Sequence, residues 1–405
     1  MPEAVIVATA RSPIGRARKG SLTAMRPDDL AVQMVDAALA KIPELDRHRI
    51  DDLILGCAQP AGESGHNLAR AVAVLAGMDH LPGVTVNRYC SSSLQTTRMA
   101  MHAIKAGEGD VFISAGVETV SRYGLGMADD LPGTHNPRMA DAGDHTQERI
   151  GTAAPWSDPR ESGALPDLYI AMGQTAENVA QHAGVSRREQ DEFAVRSQNL
   201  AEKAITNGFF QREISPVALP DGTVVDADDG PRSGVTLEAV SALNPVFRPG
   251  GTVTAANCCP LNDGAAAVVI MSDVRAAELG LTPLARVVST AVSGLSPEIM
   301  GLGPVEASRR ALAQAGMGAD DIDLVEINEA FAAQVIPSAR ALGIDEDKLN
   351  VNGGAIALGH PFGMTGARIT TTLINSLRFH DKEVGLETMC VGGGQGMAMV
   401  LERLS

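Results

Sequence analysis

The feature that most restricts the fold of this chain is an internal repeat. Four segments of the first half resemble four segments of the second half, in the same order. The pairs are 32–42 with 305–315, 50–56 with 321–327, 85–87 with 350–352, and 111–118 with 387–394. The offset stays between 265 residues (85 to 350) and 276 residues (111 to 387), as a duplication would produce. Each half alternates helix-period and strand-period segments, as βαβ units do. The repeat predicts an α/β fold with two parallel-centred sheets and helices between and outside them.

A polar region separates the two copies. Residues 121–165 are rich in Gly, Pro and Asp and have no steady period, whereas 172–210 has the period of two helices. A long insertion of this kind is usually a lid or a binding lobe. A predicted strand at 251–259 and an apolar run at 265–272 then return to the first copy. The predicted domains are a first core (1–120 with 247–275), an inserted domain (121–246) and a second core (276–405).

One cysteine lies at a predicted strand–helix joint of the first core, in TVNRYCSSSLQTTRMAM. Leu94, Thr97, Met101 and Ile104 share one helical face, which places Cys90 in or just before the first turn. Unpaired backbone N–H groups and the helix dipole favour an anion there, and they can lower the thiol pKa from its usual ~8.5. Cys90 is therefore a candidate nucleophile. On this segment alone, a buried cysteine without a chemical role is an equal alternative.

Three candidate side chains follow predicted strands of the second core. Asn328 is a helix cap, a site residue or both. His360, in the glycine-rich GGAIALGHPFGMTGAR, can deprotonate a thiol or donate to an oxyanion. Cys390 ends the first strand of a predicted hairpin, and Gly392 begins a turn whose N–H groups can face a substrate. With Cys90, these groups suit the making or breaking of a C–C bond next to a thioester, since one thiolate carries the acyl group and the other thiol moves a proton.

The composition narrows the classes of partner. The formal net charge is −16 and no run of Lys or Arg occurs, so neither nucleic acid nor an anionic membrane surface is an expected partner. No apolar run approaches the ~18 residues of a membrane span. The N-terminus lacks the pattern of a signal peptide, so we expect a cytoplasmic protein. The five cysteines are scattered and no CxxC or HExxH spacing occurs, so neither a disulfide framework nor a metal site is expected.

Taken together, the motifs resemble those of the thiolases, the acetyl-CoA acyltransferase family, over essentially the whole chain. VNRYCSSSLQ is similar to the block around the acyl-carrying cysteine, and EINEAF, GHPFGMTGAR and CVGGGQG are similar to the family's NEAF, GHP and CxGGG blocks. The resemblance implies two βαβαβ cores in a layered α-β-α-β-α sandwich with an inserted loop domain. It implies the reversible reaction of 3-oxoacyl-CoA and CoA to acyl-CoA and acetyl-CoA. CoA thioesters are then substrates, no metal or redox cofactor is needed, and the assembly is a homodimer or homotetramer.

The resemblance also assigns the chemical roles. Cys90 takes the acyl group, His360 activates it, and Cys390 is the acid and base at C2 of the acetyl unit. His360 and a water held by Asn328 form one oxyanion site for the thioester enolate. The backbone N–H groups of Cys90 and Gly392 form the second oxyanion hole.

The resemblance further implies contacts with CoA. Arg232, in DADDGPRSGVT, would lie near the nucleotide, with a solvated loop arginine as the alternative. Met172 and Phe331 would line the pantetheine tunnel and Phe247 would lie beside the adenine; Met172 and Phe331 could equally be core residues. Cys259 stands where the family often has a serine that bonds the pantetheine chain.

Two departures from the family pattern affect these expectations. A thiol is a weaker donor than a hydroxyl and Pro260 stiffens the turn, which puts the pantetheine contact of Cys259 in question. The acidic segment 124–165 does not resemble the basic tetramerisation loop of short-chain biosynthetic thiolases. We therefore expect a degradative, β-oxidation-type enzyme, with a biosynthetic acetoacetyl-CoA thiolase as the alternative. A 3-oxoacyl synthase, which lacks the second cysteine, and a non-catalytic acyl-CoA carrier are less favoured.

Overall fold

A computed structural model describes residues 1–129, 131–152 and 154–405; positions 130 and 153, in the predicted insertion, lie outside it. The strands are β1 (Ala4–Arg11), β2 (Gly15–Arg16), β3 (Asp52–Gly56), β4 (Gly83–Val86), β5 (Val111–Thr119), β6 (Val217–Ala218), β7 (Val224–Val225), β8 (Asn262–Ser272), β9 (Ala285–Gly294), β10 (Leu324–Ile327), β11 (Val384–Val391) and β12 (Gln395–Arg403). The helices are α1 (Pro27–Leu39), α2 (Leu68–Leu75), α3 (Ser92–Ala106), α4 (Ala140–Thr152), α5 (Met172–His182), α6 (Arg187–Thr206), α7 (Leu237–Ser241), α8 (Asp273–Glu278), α9 (Gly303–Ala315), α10 (Ala332–Leu342), α11 (Ala355–Leu358) and α12 (Thr365–Phe379).

The strands of both copies belong to one hydrogen-bonded ladder. Its order across the described residues is β10-β11-β12-β9-β1-β8-β5-β3-β4, with β2 on β8, while β6 and β7 pair separately. β3 is parallel to β4 and β5, and β10 is parallel to β11. The two predicted sheets are joined at one point, because Val5 and Ile6 of β1 pair with Arg286 and Ala285 of β9. This short pairing satisfies backbone groups at the strand edges where the two halves meet.

The helices form layers on both sides of each half of the ladder. Along β8, Ala267 and Val269 face the cluster that contains α1 and α2, whereas Val268 and Ile270 face the cluster that contains α3 and α12. Along β12, Ala398 lies in the cluster that contains α9 and α10. The order is therefore helices, strands, α3 with α12, strands, helices. The predicted layered α-β-α-β-α sandwich is confirmed.

The two central helices, α3 and α12, pack closely against each other because α12 has a glycine, Gly366, at the contact. A Cβ atom on Gly366 of α12 would lie 2.1 Å from the backbone nitrogen of Leu94 in α3. The backbone N–H of Ala367 donates to Ser93 Oγ at 2.9 Å. Equivalent helices of the repeat therefore lie side by side, and the segments just before them, which carry Cys90 and His360, are brought together.

The insertion contains the two predicted helices, α5 and α6. Ser186 and Glu189 form a capping box that starts α6. Helix α4 was not predicted, because most of its side chains are exposed and leave no apolar period in the sequence. The division into two cores and an insertion stays a prediction. No helix among the described residues is long and apolar enough to span a membrane.

The strand predicted at 251–259 does not form. Thr254 and Cys258 make only isolated bridges, to Pro245 and Phe331. The N–H groups of residues 252 and 253 donate to the carboxylate of Glu177 on α5 instead of to a neighbouring strand. A side chain thus supplies the acceptors that a ladder would have provided.

Candidate active site

Cys90 lies in a short 3₁₀ turn, Tyr89–Ser91, between β4 and α3. The φ of Tyr89 is 42°, and its N–H donates to Asn87 Oδ1 at 2.8 Å, which fixes this tight turn. Cys90 is half-buried and borders a cavity of about 740 Å³ together with Gly392. Burial raises the thiol pKa to about 11, although a hydrogen bond from the Gly392 N–H opposes the shift. Backbone N–H groups at this turn lower the pKa in the direction expected for a helix start, but burial outweighs them and the net shift is upward.

His360 lies between α11 and α12 and is 1% exposed. Its backbone N–H donates to Asn262 Oδ1 at 3.0 Å. Its ring Nδ1 is 2.6 Å from Thr365 Oγ1, and that hydroxyl donates to the Pro361 carbonyl at 2.8 Å. Because a hydroxyl has one hydrogen, Nδ1 is the donor and Nε2 carries the lone pair. Burial, with a smaller contribution from Arg368, lowers the imidazole pKa to about 3, so the ring is neutral.

Asn328 follows β10 and faces this imidazole. Its Nδ2 lies 3.3 Å from His360 Nε2 and donates to it. The prediction that Asn328 caps the next helix is wrong, since Phe331 is the residue that precedes α10. Its carbonyl accepts from Gln334 Nε2 at 2.7 Å, whereas its buried side-chain Oδ1 has no hydrogen-bond partner among the described residues. The Asn328 side chain therefore offers an available hydrogen-bond acceptor next to the His360 imidazole.

Cys390 lies near the end of β11, which forms the predicted hairpin with β12. Its side chain is buried in a cluster with Met300, Ala330 and Phe331. Burial raises its thiol pKa well above the usual range, and the neighbouring Cys90 raises it further. The two thiols therefore lie close enough to influence each other, and each is protonated at neutral pH.

Comparison with known proteins identifies the family. The sequence matches the thiolase N-terminal domain over residues 4–274 and the thiolase C-terminal domain over residues 281–403. The chain belongs to the thiolase family. The 3-ketoacyl-CoA thiolase of Bacillus subtilis (strain 168) is 45% identical over 415 residues, covering 99% of this chain and 100% of that protein. The 3-oxoadipyl-CoA/3-oxo-5,6-dehydrosuberyl-CoA thiolase of Escherichia coli (strain K12) is 43% identical, covering 100% of both.

The structural comparison agrees with this assignment. The crystal structure of the Bacillus anthracis acetyl-CoA acetyltransferase matches with a TM-score of 0.86 and 39% identity, covering 100% of this thiolase and 99% of that chain. The family, the fold and the acyltransferase class predicted from the sequence are confirmed. The roles of the individual site residues stay predictions.

Four of the five residues predicted to contact CoA lie in or against one apolar cluster of this thiolase. Phe331 is buried in the cluster that contains Cys390, and Met172, Phe247 and Cys259 pack against it. Met172 also borders the cavity of Cys90. The Phe247 ring covers the backbone of α5 so closely that a Cβ on its second residue would lie 2.1 Å from the ring. These residues share a location that suits an apolar ligand chain.

Arg232 is not brought to the cavity that Cys90 borders. It lies exposed on the loop between β7 and α7, and its backbone N–H donates to Gln198 Oε1 at 3.0 Å. Its predicted contact with the nucleotide of CoA stays a prediction.

Glu118 is a buried carboxylate that holds the site together, and it was not predicted from the sequence. It accepts hydrogen bonds from the backbone N–H groups of Ala58, Gln59 and Gly363 at 2.8, 3.2 and 2.9 Å, and from the Tyr123 hydroxyl at 3.0 Å. Burial raises its pKa. It thereby connects the loop after β3 to the loop that carries the imidazole. The available signal was a single acid near the end of the otherwise uncharged segment VFISAGVET.

Thr365 was missed as well. It lies five residues after His360 in the same glycine-rich block, at the first position of α12. A hydroxyl one helical turn from a histidine was the only signal, and spacing alone could not show which ring nitrogen it contacts.

Proposed function

We propose that this thiolase cleaves 3-oxoacyl-CoA esters longer than acetoacetyl-CoA with CoA, giving acyl-CoA and acetyl-CoA, and that the reaction is reversible. The observation that carries the proposal is the cavity of about 740 Å³ next to Cys90, bordered also by Met172 and Phe362. Because the same cavity reaches Gln59 and Thr134 as well as Met172, it can admit both the pantetheine arm and an acyl chain longer than acetoacetyl. The name of the Bacillus subtilis relative, a 3-ketoacyl-CoA thiolase, supports the same substrate class.

The first half-reaction begins with removal of the Cys90 proton. Cys90 is protonated at neutral pH, and we assign its proton to the lone pair on His360 Nε2. The thiolate and imidazolium that form stabilise each other, which opposes the burial that favours both neutral forms. The thiolate adds to C3 of the substrate, and the N–H groups of Cys90 and Gly392 donate to the resulting oxyanion. The C2–C3 bond then breaks, leaving an acyl group on Cys90 and the enolate of acetyl-CoA.

The second thiol completes the transfer. Cys390 donates its proton to C2 of the enolate, while protonated His360 and a water held by Asn328 stabilise the enolate oxygen. The partnerless Oδ1 of Asn328 supports this water-binding role, since a buried acceptor needs a donor. In the second half-reaction, the Cys390 thiolate takes the proton of the CoA thiol. The CoA thiolate then attacks the acyl group, the bond to Cys90 breaks, and the Cys90 thiolate recovers its proton from His360, so that both groups return to their starting forms.

Binding of CoA is assigned to the residues around the apolar cluster. Met172 and Phe331 would flank the pantetheine, Phe247 would contact the adenine, and Arg232 would approach the nucleotide phosphates as a local cation. Cys259, at the position of the family's pantetheine-bonding serine, would contact the pantetheine only weakly, because its thiol is a poor donor and its backbone N–H already donates to the Ala330 carbonyl at 3.0 Å.

The thiolase is further proposed to be a cytoplasmic homodimer or homotetramer that needs no metal or redox cofactor. Its five cysteines are all free, which suits a reducing compartment. At the end of the ladder, β4 leaves Val84 37% exposed, and nearby Leu75 of α2 is 54% exposed. An edge strand with exposed apolar side chains is a suitable surface for a second copy. Sedimentation of wild type and Val84→Lys would test the assembly.

Steady-state thiolysis tests the substrate class. Acetoacetyl-, 3-oxohexanoyl- and 3-oxodecanoyl-CoA are compared at saturating CoA, with and without EDTA. We expect kcat/KM to rise about tenfold or more from acetoacetyl- to 3-oxohexanoyl-CoA, as extra apolar contact would give, and no effect of EDTA. A preference for acetoacetyl-CoA would favour the biosynthetic alternative, for which the likeness to the Bacillus anthracis acetyl-CoA acetyltransferase is the supporting observation.

A further inference from the structure

One wall of the cavity that Cys90 borders is polar and carries a fixed charge. Gln59, Asp129, Thr134 and His135 contribute to this wall. Among the described lining residues, Asp129 is the one carboxylate, and none is a lysine or arginine. A ligand group next to this wall therefore meets a negative side chain without a cationic side chain of Lys or Arg beside it.

The Asp129 carboxylate is held in place by hydrogen bonds to Gln59. Gln59 Nε2 donates to Asp129 Oδ2 at 2.8 Å, and Gln59 Oε1 accepts from the N–H groups of Ala128 and Asp129 at 2.7 and 2.9 Å. The Gln59 N–H in turn donates to Glu118 at 3.2 Å, and Gln59 is only 9% exposed. The charge is therefore fixed relative to the loop that Glu118 anchors, rather than free to turn into solvent.

We propose that Asp129 selects acyl chains with an uncharged end and disfavours those that end in a carboxylate. The inference rests on the proposed function, since it takes the cavity to hold the acyl chain. Two like charges in a partly buried cavity repel more strongly than they would in water, and no Lys or Arg among the described lining residues offsets the repulsion. The substrate class is thereby narrowed to 3-oxoacyl-CoA esters of uncharged chains.

This selectivity differs from what overall similarity would suggest. Three relatives, two at 43% and one at 41% identity, are named for oxoadipyl substrates, whose acyl chain ends in a carboxylate. Identity over the whole chain therefore does not decide the charge of the substrate, whereas a single carboxylate in the cavity wall can.

The experiment compares two substrates of equal chain length that differ in their end group. Thiolysis of 3-oxohexanoyl-CoA and 3-oxoadipyl-CoA is measured at about pH 8, well above the ordinary pKa of an imidazole. Wild type should prefer 3-oxohexanoyl-CoA by about tenfold or more in kcat/KM, and Asp129→Asn should reduce that ratio by about tenfold. Asp141→Asn, which removes the same charge from an exposed position on α4, should leave the ratio unchanged.

A second variant keeps the inference testable if Asp129→Asn does not fold. Thr134→Lys adds a positive charge to the same wall without altering the Gln59–Asp129 hydrogen bonds, and it should raise kcat/KM for 3-oxoadipyl-CoA relative to 3-oxohexanoyl-CoA. Equal use of both substrates by wild type, or an unchanged ratio in both variants, would overturn this inference. If wild type thiolyses neither substrate, the proposed function itself fails.

Discussion

Thr365 Oγ1 lies 2.6 Å from Nδ1 of His360 and leaves the free electron pair of the ring on Nε2. The assignment follows from the Thr365 hydroxyl, whose one hydrogen is donated to the Pro361 carbonyl. On the other side of the ring, Asn328 Nδ2 donates to Nε2. The imidazole is thus held in one tautomer, with its basic nitrogen toward the Asn328 amide.

Replacing Thr365 by Val should slow the reaction by disturbing this arrangement. Valine has a similar shape but cannot accept from Nδ1, so the tautomer and the ring orientation lose their support. We expect kcat to fall about 10- to 100-fold, with little change in KM. The residue is a positioning residue, so Thr365→Ser, which keeps the hydroxyl, should restore most of kcat. A loss of activity in Thr365→Ser equal to that in Thr365→Val would count against the hydrogen bond.

The raised pKa of Cys90 predicts how its alkylation depends on pH. With a pKa of about 11, the thiolate fraction should rise about tenfold per pH unit between pH 7 and 9. The rate of carbamidomethylation by iodoacetamide, followed by peptide mass spectrometry, should rise in the same proportion. Cys57, whose buried thiol also has a raised pKa, should react more slowly because it is inaccessible. A rate that levels off below pH 8 would mean that the Cys90 pKa lies below 8, which would contradict the value of about 11.

Two buried carboxyl groups should make the stability of the protein depend on pH. Glu326 of β10 and Glu387 of β11 are register partners, and burial raises the pKa of each to about 8 from the usual 4.5. Between those values the unfolded chain has released protons that the folded protein keeps. Stability should therefore fall as pH rises through this window, by up to about 1.4 kcal/mol per pH unit for each group.

Substitution at Glu326 tests this dependence. Glu326→Gln should make the urea midpoint less sensitive to pH between 5 and 8, because one of the two titrating groups is gone. Glu44→Gln, at an exposed position, serves as the control and should follow wild type. A midpoint that rises with pH in wild type over this range would have the opposite sign and would contradict the account.

Much of the fold could be predicted because its signals are local. The period of α3 and the hairpin of β11 and β12 are visible in short segments, and the repeat indicated that both halves share one plan. The pairing of β1 with β9 could not be predicted, since it depends on how the two halves meet. The segment 251–259 has strand-like residues, but Glu177, distant in sequence, takes its N–H groups.

The candidate site was predicted in part for the same reason. Cys90 and Asn328 follow strands, and Cys390 lies near the end of one, as predicted. His360 instead follows the short helix α11, and the structure places all four around adjoining parts of one site. The direction of the Cys90 pKa shift depends on what covers the thiol, which no local pattern reports. The anchoring role of Glu118 depends on backbone groups from two distant loops, so a single acid in the sequence could not reveal it.

The most direct test of the division of labour between the two thiols is the intact mass of the protein after incubation with hexanoyl-CoA. Wild type should gain the mass of one acyl group, and Cys90→Ala should gain none. Cys390→Ala should still be acylated but should fail to form or cleave the C–C bond. If Cys90→Ala still gains the acyl mass, the nucleophile is elsewhere, with Cys259 the first residue to examine, and the central claim is contradicted.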